Sequence, residues 1–441
     1  MTSSFEKDPY PGKPKILFVG LAESTHTHAW IDLLLDAELN VRLFALPSGC
    51  PPDEWWVRTY VSSLCKQRRS ETRKYLYRGL IGSIHYYLSR LYDMRYSSKF
   101  SAFKTVTWLW EKWSGFINQF GQCVGNSDIC VTIEAWLANI IKQWEPDIIQ
   151  TLGLFDDQGG MFYYKVRQAY HLEGYGKWII QLRGGSDLTL RRHDPEFKEE
   201  IRQVLMDCHQ ILSDNRANIH YANDLGVPEE KFAPIVPVPG TGGIDVNHLA
   251  LTSSIKPSKR ERIILWPKAY ESPWSKAAPV LEAIQQAWVN ISPCEFHITA
   301  MTPEVRMWFW SLPEEIRKHC KVYERVPRNL VLDLMKRARV LLAPSLIDGV
   351  PNILYEAMAC GAFPIVSPLE TITNLIKQDE NVLFARNLYP NEIADALIRA
   401  MMDDELVDQA AHKNLRLVRE IADRKSIRKK VIDYYQNLMK Q

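Results

Sequence analysis

Segments that predict buried strands alternate with helical segments along this 441-residue chain, and the alternation starts afresh near its middle. In the first half the apolar runs lie at 16–19, 41–46, 147–152, 178–183 and 211–213. In the second half they lie at 263–266, 296–299, 340–343 and 363–367. Strands that alternate with helices in this way form parallel sheets with helices on both faces. The sequence therefore predicts two successive α/β halves, each of the Rossmann type.

The predicted domain bounds follow from the segments that interrupt this alternation. A stretch rich in proline and glycine at 234–243, followed by a polar stretch at 251–260, predicts the junction. We expect an N-terminal domain over 1–245, a C-terminal domain over 246–424 and a last helix over 425–441. Between the second and third strands of the first half, residues 51–141 predict a mostly helical insert.

The segment 344–361, PSLIDGVPNILYEAMACG, predicts a strand–loop–helix unit that carries two acids. Proline just inside the start of the helix and Gly361 just past its end are the expected asymmetry. Glu356 lies among apolar neighbours, and it needs a partner because burying an unpaired carboxylate is costly. The loop before the helix carries Asp348 and offers backbone N–H groups and the positive end of the helix dipole. Such a combination suits a ligand with both hydroxyl and phosphate groups, as in a nucleotide sugar.

This segment resembles the donor-binding signature of the retaining GT-B glycosyltransferases of family 4, P-S-x-x-E-G-x-P-x-x-x-x-E-A-M-A-x-G. Asp348 stands at the first acid, where the family has Glu, and Glu356 stands at the second. The resemblance implies a GT-B fold, in which two Rossmann-like domains face a central cleft and the last helix returns to the first domain. It implies that Asp348 holds hydroxyls of the donor sugar and that Glu356 holds the ribose. The backbone that would bind the sugar and the phosphates belongs to Gly349, Val350, Pro351 and Asn352.

Two lysines and a valine complete the donor site that the resemblance implies. Lys268 and Lys276 follow the strand at 263–266, in the loop where the family binds the diphosphate through an arginine and a lysine. Val326 stands before a helix, at the place of the family's contact to the nucleobase. Lysines and helix ends supply the positive charge that a diphosphate needs, so we expect no metal and no cofactor.

On the acceptor side, His26, His28, Arg183 and Asp187 are the candidate residues. Both histidines lie in the predicted loop after the first strand, which favours contact with acceptor or phosphate; helix capping is the alternative. Two histidines alone make a weak case for a metal. Arg183 opens Arg-Gly-Gly-Ser-Asp, which resembles the family's Gly-Ser-Asp segment, although this chain has Gly184 where many members have His or Trp. A tight strand-to-loop turn is the alternative interpretation.

Within the insert, residues 66–99 contain nine basic and two acidic residues, interleaved with six tyrosines. A basic, aromatic-rich amphipathic helix can lie in a membrane interface, against anionic headgroups. A solvated helix face would have the same composition. Contact with nucleic acid has the least support, and we expect no nucleic-acid partner.

The resemblance implies an enzyme that moves a sugar from a nucleotide-diphospho-sugar to a glycan or lipid-linked acceptor, in cell-surface polysaccharide or glycolipid synthesis. An epimerase of the same fold and a non-catalytic nucleotide-sugar-binding protein are the alternatives. Eight scattered cysteines without a C-x-x-C pair indicate reduced thiols. The polar N-terminus and the lack of a run of about 18 apolar residues predict neither a signal peptide nor a membrane span. We therefore expect a cytoplasmic protein, with the inner face of the membrane as a further location.

Overall fold

The computed structural model describes residues 7–46, 49–61, 132–155, 158–184, 186–251, 255–324 and 326–440. Within them lie two six-stranded sheets, with strand orders β3-β2-β1-β4-β5-β6 and β12-β11-β10-β7-β8-β9. The strands of the first sheet are β1 Lys15–Gly20, β2 Asn40–Ala45, β3 Arg58–Tyr60, β4 Ile148–Thr151, β5 Lys177–Leu182 and β6 Gln210–Ser213. Those of the second are β7 Ile263–Trp266, β8 Glu295–Ile298, β9 Cys320–Val322, β10 Val340–Ala343, β11 Phe363–Val366 and β12 Leu383–Phe384.

Helices connect the strands. In the first half they are Thr25–Ile31, Ile133–Trp144, Gly160–Tyr170, Ser186–Arg191, Pro195–Asp207 and Ala217–Asp224, with 3₁₀ turns Asp32–Leu34 and Glu229–Lys231. In the second half they are Val246–Leu251, Ala278–Ile291, Pro303–Trp310, Glu314–Arg317, Arg328–Arg337, Asn352–Cys360, Glu370–Thr373, Pro390–Met402, Asp404–Ile421 and Arg424–Lys440, with the 3₁₀ turn Pro257–Lys259.

The central strands are apolar on both faces, which is why their positions can be read from the sequence. In the first sheet, Ile16 of β1 pairs in parallel with Val41 of β2 and with Ile148 of β4. In the second sheet, alternate residues of β7 enter two separate cores. Ile264 packs under the helices Ala278–Ile291 and Pro390–Met402, whereas Ile263 packs under the helix Asn352–Cys360.

Three strands that the sequence pattern did not predict lie at sheet edges: β3, β9 and β12. They have two or three residues each, too few for an apolar run to be recognised. β3 lies inside the segment 51–141, so residues 58–60 are a strand within the segment that was predicted to be mostly helical. The helix Ile133–Trp144 agrees with that prediction. Residues 62–131, with the basic segment 66–99, lie outside the described residues.

The chain divides into two compact units. One contains Met1–Gln181, Gln203–Ile211 and Leu438–Gln441, and the other contains Leu182–Arg202 and Leu212–Asn437. The domain bounds expected from the sequence, at 245 and 424, stay a prediction. The last helix forms where it was expected. In the first unit, Lys177 Nζ donates a hydrogen bond to the carbonyl oxygen of Leu438 at 2.8 Å.

Cysteine chemistry differs from the expectation at one position. Cys208, Cys294, Cys320 and Cys360 are free thiols, as expected. Cys50 is disulfide-bonded, so the prediction of reduced thiols is wrong there. Among the residues that the structure describes, no helix is both long enough and apolar enough to cross a membrane.

Candidate functional site

The candidate site is built on the loop between β10 and the helix Asn352–Cys360, in the second unit. Pro351 precedes the helix with extended backbone angles (φ −69°, ψ 134°), and Gly361 ends it in the left-handed region at φ 78°. Arg260 Nη2 donates to the carbonyl oxygen of Cys360 at 2.7 Å, which satisfies a carbonyl of the last helical turn. Pro351 and Gly361 therefore mark the two helix ends, and Arg260 stabilises the second from 100 positions away. The loop at 344–351 lies at the carboxyl end of a buried strand.

Asp348 and Lys268 form an ion pair in this loop. Lys268 Nζ lies 2.5 Å from Asp348 Oδ2, and the backbone N–H of Gly349 donates to Asp348 Oδ1 at 3.0 Å. Burial is the largest single influence on Lys268 and opposes its charge, but the Asp348 carboxylate and Tyr270 together outweigh burial and raise the pKa of Lys268. Both side chains stay partly accessible, so a ligand can reach the pair. The structure thus brings together a sugar-binding and a phosphate-binding candidate that lie 80 positions apart.

The loop that carries Asp348 is held by close backbone packing. Thr371 Oγ1 lies 2.9 Å from the carbonyl oxygen of Asp348 and 3.1 Å from that of Gly349. A Cβ atom added at Gly349 would lie 2.4 Å from Asp214 Oδ2 and 2.7 Å from the Cα of Gly184. Such distances are not tolerated, so position 349 requires glycine.

Asp214 is a buried carboxyl group that the sequence pattern did not reveal. The backbone N–H groups of Gly184 and Val350 each donate to its Oδ2 at 3.4 Å, and Asn215 Nδ2 donates to its Oδ1 at 2.6 Å. Burial raises the pKa of Asp214 to about 6; these hydrogen bonds oppose the shift and the charge of Asp348 adds to it. The only sequence feature that points to Asp214 is its position directly after the predicted strand at 211–213, which is weak evidence for a functional residue.

Glu356 has the partner that its burial requires. Arg328 Nε donates to Glu356 Oε1 at 2.9 Å, and Arg328 Nη2 contacts the same oxygen. Burial raises the pKa of Glu356, and the charge and hydrogen bonds of Arg328 act against that rise. The sequence did not reveal Arg328 as the partner of Glu356, although Arg328 lies two residues after Val326. Val326 itself lies just before the helix Arg328–Arg337, as expected.

Lys276 lies in a second loop that is tied to the first. Its Nζ lies 2.6 Å from Glu271 Oε1, and its backbone N–H donates to Asn387 Oδ1 at 2.7 Å. The amide of Asn387 donates in turn to the carbonyl oxygens of Lys276 (3.1 Å) and Pro344 (3.2 Å). Asn387 therefore fixes the Lys276 loop against the start of the loop that carries Asp348.

At the start of the helix, Asn352 Oδ1 accepts a hydrogen bond from Thr241 Oγ1 at 2.9 Å. Thr241 comes from the predicted junction, which the structure thus places against the helix start. Val350 is buried, whereas Pro351 and Asn352 are partly exposed. Pro351 and Asn352, at the start of the helix, are therefore accessible to a ligand that binds at the loop.

The acceptor-side candidates divide between the two units. His26 and His28 lie in the helix Thr25–Ile31 of the first unit, so their predicted placement in a loop is wrong. The helix begins directly after Ser24, and His28 Nε2 lies 2.6 Å from the carbonyl oxygen of Ala22. Its ring also contacts that of Trp55, with centroids 4.6 Å apart.

Arg183 and Asp187 belong to the second unit, where Asp187 lies in the helix Ser186–Arg191. Gly184 has φ 76°, in the left-handed region, and a Cβ atom added there would meet nothing within 4 Å. The turn therefore requires glycine for its backbone angles rather than for lack of space. Among the described residues, no group of three or more His, Cys, Asp and Glu side chains is placed to hold a metal ion.

A sequence profile matches the part of the chain that carries these acids. Residues 302–416 match the family described as Glycosyl transferases group 1. This range contains Val326, Asp348 and Glu356. None of the curated proteins matches the chain.

Solved structures match nearly the whole chain. Anabaena HepE in complex with UDP and glucose has a TM-score of 0.59 and 10% identity, covering 96% of this chain and 99% of that chain. Sucrose-phosphate synthase from Thermosynechococcus elongatus has a TM-score of 0.62 and 14% identity, covering 97% and 99%. The lipopolysaccharide outer core galactosyltransferase WaaB has a TM-score of 0.59 and 12% identity, covering 96% and 99%. The two parallel sheets and these similarities confirm the predicted GT-B fold.

Proposed function

We propose that the chain moves a sugar from a nucleotide-diphospho-sugar to a hydroxyl acceptor, with retention of configuration; the match of residues 302–416 to the family Glycosyl transferases group 1 supports this. The observation that carries this proposal is the Lys268–Asp348 pair beside the start of the helix Asn352–Cys360. A carboxylate for sugar hydroxyls, a cation for the diphosphate and a helix start then lie side by side. HepE, which has this fold, is bound to UDP and glucose.

Lys268 acts on the leaving group in this proposal. An ammonium group has three N–H donors, so Lys268 can keep its bond to Asp348 and still donate to a phosphate oxygen. Negative charge grows on the diphosphate as the bond to the sugar breaks, and a fixed cation stabilises that charge. Lys276, held by Glu271 and Asn387, supplies a second cation from the neighbouring loop. The acceptor hydroxyl attacks on the same face, and no metal or cofactor is required.

The acid roles divide between the two ends of the donor. Asp348 holds the sugar hydroxyls and Glu356 holds the ribose. The backbone of Gly349, Val350, Pro351 and Asn352 binds the sugar and phosphates, and Val326 lies at the nucleobase. His26, His28, Arg183 and Asp187 stay proposals for the acceptor side.

Single substitutions of the two acids test this division. Asp348→Ala should lower the transfer rate while leaving the affinity for the free nucleoside diphosphate nearly unchanged. Glu356→Ala should weaken that affinity by about 1.5–3 kcal/mol, the typical value of hydrogen bonds to a charged group. Titration calorimetry with UDP, GDP and ADP, alongside a transfer assay, measures both effects.

Equal losses of nucleotide affinity in both variants would contradict the division. A donor sugar that is isomerised in the absence of acceptor would favour the epimerase instead. Tight nucleotide binding without turnover would favour a binding protein. The transfer rate should not change with a chelator, and a strict requirement for magnesium or manganese would contradict the metal-free mechanism.

We further propose a glycan or lipid-linked acceptor, in cell-surface polysaccharide or glycolipid synthesis, and contact with the inner face of the membrane. Support comes from the excess of basic residues and tyrosines in 66–99, and from the similarity to WaaB, a lipopolysaccharide galactosyltransferase. Each basic residue near an anionic membrane contributes roughly 1 kcal/mol, so a few together hold a protein there reversibly.

Sedimentation with anionic liposomes tests the membrane contact. We expect the protein to sediment with the liposomes at low salt and to be released at high salt, because salt screens the attraction. Replacing Arg68, Arg69, Arg73 and Lys74 with Gln should abolish sedimentation and leave nucleotide binding intact. A wild-type protein that does not sediment with anionic liposomes at low salt would favour an acceptor in solution.

A further inference from the structure

The contact between Arg328 and Glu356 is asymmetric. Both contacting nitrogens of Arg328, Nε and Nη2, reach the same carboxylate oxygen, Oε1. Among the described residues, none donates a hydrogen bond to Oε2. The Glu356 side chain is only 8% exposed, whereas that of Arg328 is 65% exposed. The arginine thus reaches the buried acid from the solvent side and occupies half of its hydrogen-bonding capacity.

The position of Arg328 is unfavourable for its own helix. It is the first residue of the helix Arg328–Arg337, whose first turn contains no acidic residue. A cation at that end is disfavoured by the helix dipole. The ion pair with Glu356 offsets the unfavourable interaction with the helix dipole. It also links the helix Arg328–Arg337 to the helix Asn352–Cys360. The contact of Arg328 with Glu356 therefore explains an arginine at this position better than the stability of the helix Arg328–Arg337 does.

We propose that Arg328 is a positioning residue for the donor nucleotide: it keeps Glu356 ionised by holding Oε1 and directs Oε2 towards the ribose hydroxyls. This inference rests on the proposed function, in which Glu356 holds the ribose. An ionised carboxylate accepts hydrogen bonds at both oxygens, so one can bind the arginine while the other accepts from a diol. The ribose therefore need not displace Arg328.

Electrostatics supports this arrangement. Burial raises the pKa of Glu356, and Arg328 is the one charged group among the described residues that acts on it. No charge from the helices Val246–Leu251 and Asp404–Ile421, which also pack on the helix Asn352–Cys360, shifts the pKa of Glu356. Removing Arg328 would leave burial unopposed, and the pKa of Glu356 would rise further. A larger fraction of Glu356 would then be protonated near neutral pH and unable to accept at both oxygens.

The test is the pH dependence of nucleoside diphosphate binding in Arg328→Gln. UDP, GDP and ADP are titrated against wild type, and the best binder is used for all variants between pH 6 and pH 8.5. The loss of affinity relative to wild type should be about tenfold at pH 6 and clearly smaller at pH 8.5, because Glu356 regains its charge as the pH rises. Arg328→Lys should recover most of the loss, since it restores a point charge.

Arg337→Gln is the matched control, because Arg337 lies on the same helix and pairs with Glu261 on an exposed face. Its affinity should equal that of wild type at every pH. Thermal unfolding of each variant shows whether the fold is kept. If Arg328→Gln does not fold, Arg328→Met carries the same test, with the same expected loss of affinity at pH 6.

A double-mutant cycle separates positioning from direct contact with the nucleotide. In a Glu356→Gln background, Arg328→Gln should have no further effect, because the arginine acts through the acid. A full additional loss there, or a loss in Arg328→Gln that does not change with pH, would overturn the inference. If Glu356→Ala weakens binding and Arg328→Gln does not, only the positioning role fails. If wild type binds no nucleoside diphosphate, the proposed function fails as well.

Discussion

Lys268→Ala should lower kcat for glycosyl transfer by roughly 10²- to 10³-fold, the usual effect of removing one fixed group that stabilises developing negative charge. Substrate KM should change much less, because the charge on the diphosphate grows mainly in the transition state. The substitution also leaves Asp348 without the cation that lies 2.5 Å from its Oδ2, so the sugar-binding acid is disturbed too. Steady-state kinetics with the donor that binds best measures the two parameters separately.

Two comparisons sharpen this test. Lys321→Ala removes a lysine of the same unit whose partner, Glu295, is on an exposed surface, and its kinetics should match wild type. Lys276→Ala should also lower kcat, since its ammonium group lies in the loop that Asn387 ties to Pro344. A rise in KM with unchanged kcat for Lys268→Ala would show equal binding of ground state and transition state instead.

Gly349→Ala should reduce kcat/KM about 100-fold, comparable to a misplacement of about 1 Å in a catalytic group. The new Cβ would lie 2.4 Å from Asp214 Oδ2 and 2.7 Å from the Cα of Gly184, so the loop has to move. Asp348 is the preceding residue and moves with it, which disturbs its ion pair with Lys268. Kinetics and thermal unfolding together measure the effect: activity should fall much further than the loss of stability explains.

Gly174→Ala is the matched control, because a Cβ atom added at Gly174 meets nothing within 4 Å. It should keep both activity and melting temperature. Normal activity in Gly349→Ala would mean that the loop at 348–350 accommodates a Cβ atom despite its packing against Asp214 and Gly184. That result would contradict the steric requirement for glycine at 349.

The sequence determined the central strands and the helix that carries the acids. Apolar runs such as 263–266 and 340–343 are buried on both faces, and burial on both faces leaves an unbroken apolar pattern. Proline and glycine marked the two ends of the helix Asn352–Cys360, because their backbone preferences act locally. Edge strands such as β9 are not predicted from the sequence, because they are short and pair with a neighbouring strand on one side only. The sequence does not predict the helix that contains His26 and His28, because no apolar pattern marks its start.

The tertiary structure alone decided which charged groups meet. An acid such as Glu356 among apolar neighbours predicts a partner, because burying an unpaired carboxylate is costly. The sequence does not predict that the partner is Arg328, 28 positions away. Asp214 and Val350, 136 positions apart, are joined by a hydrogen bond that no spacing rule predicts. Local signals arise from the backbone preferences and burial of neighbouring residues, whereas these contacts depend on how separate strands and loops come together in the folded chain.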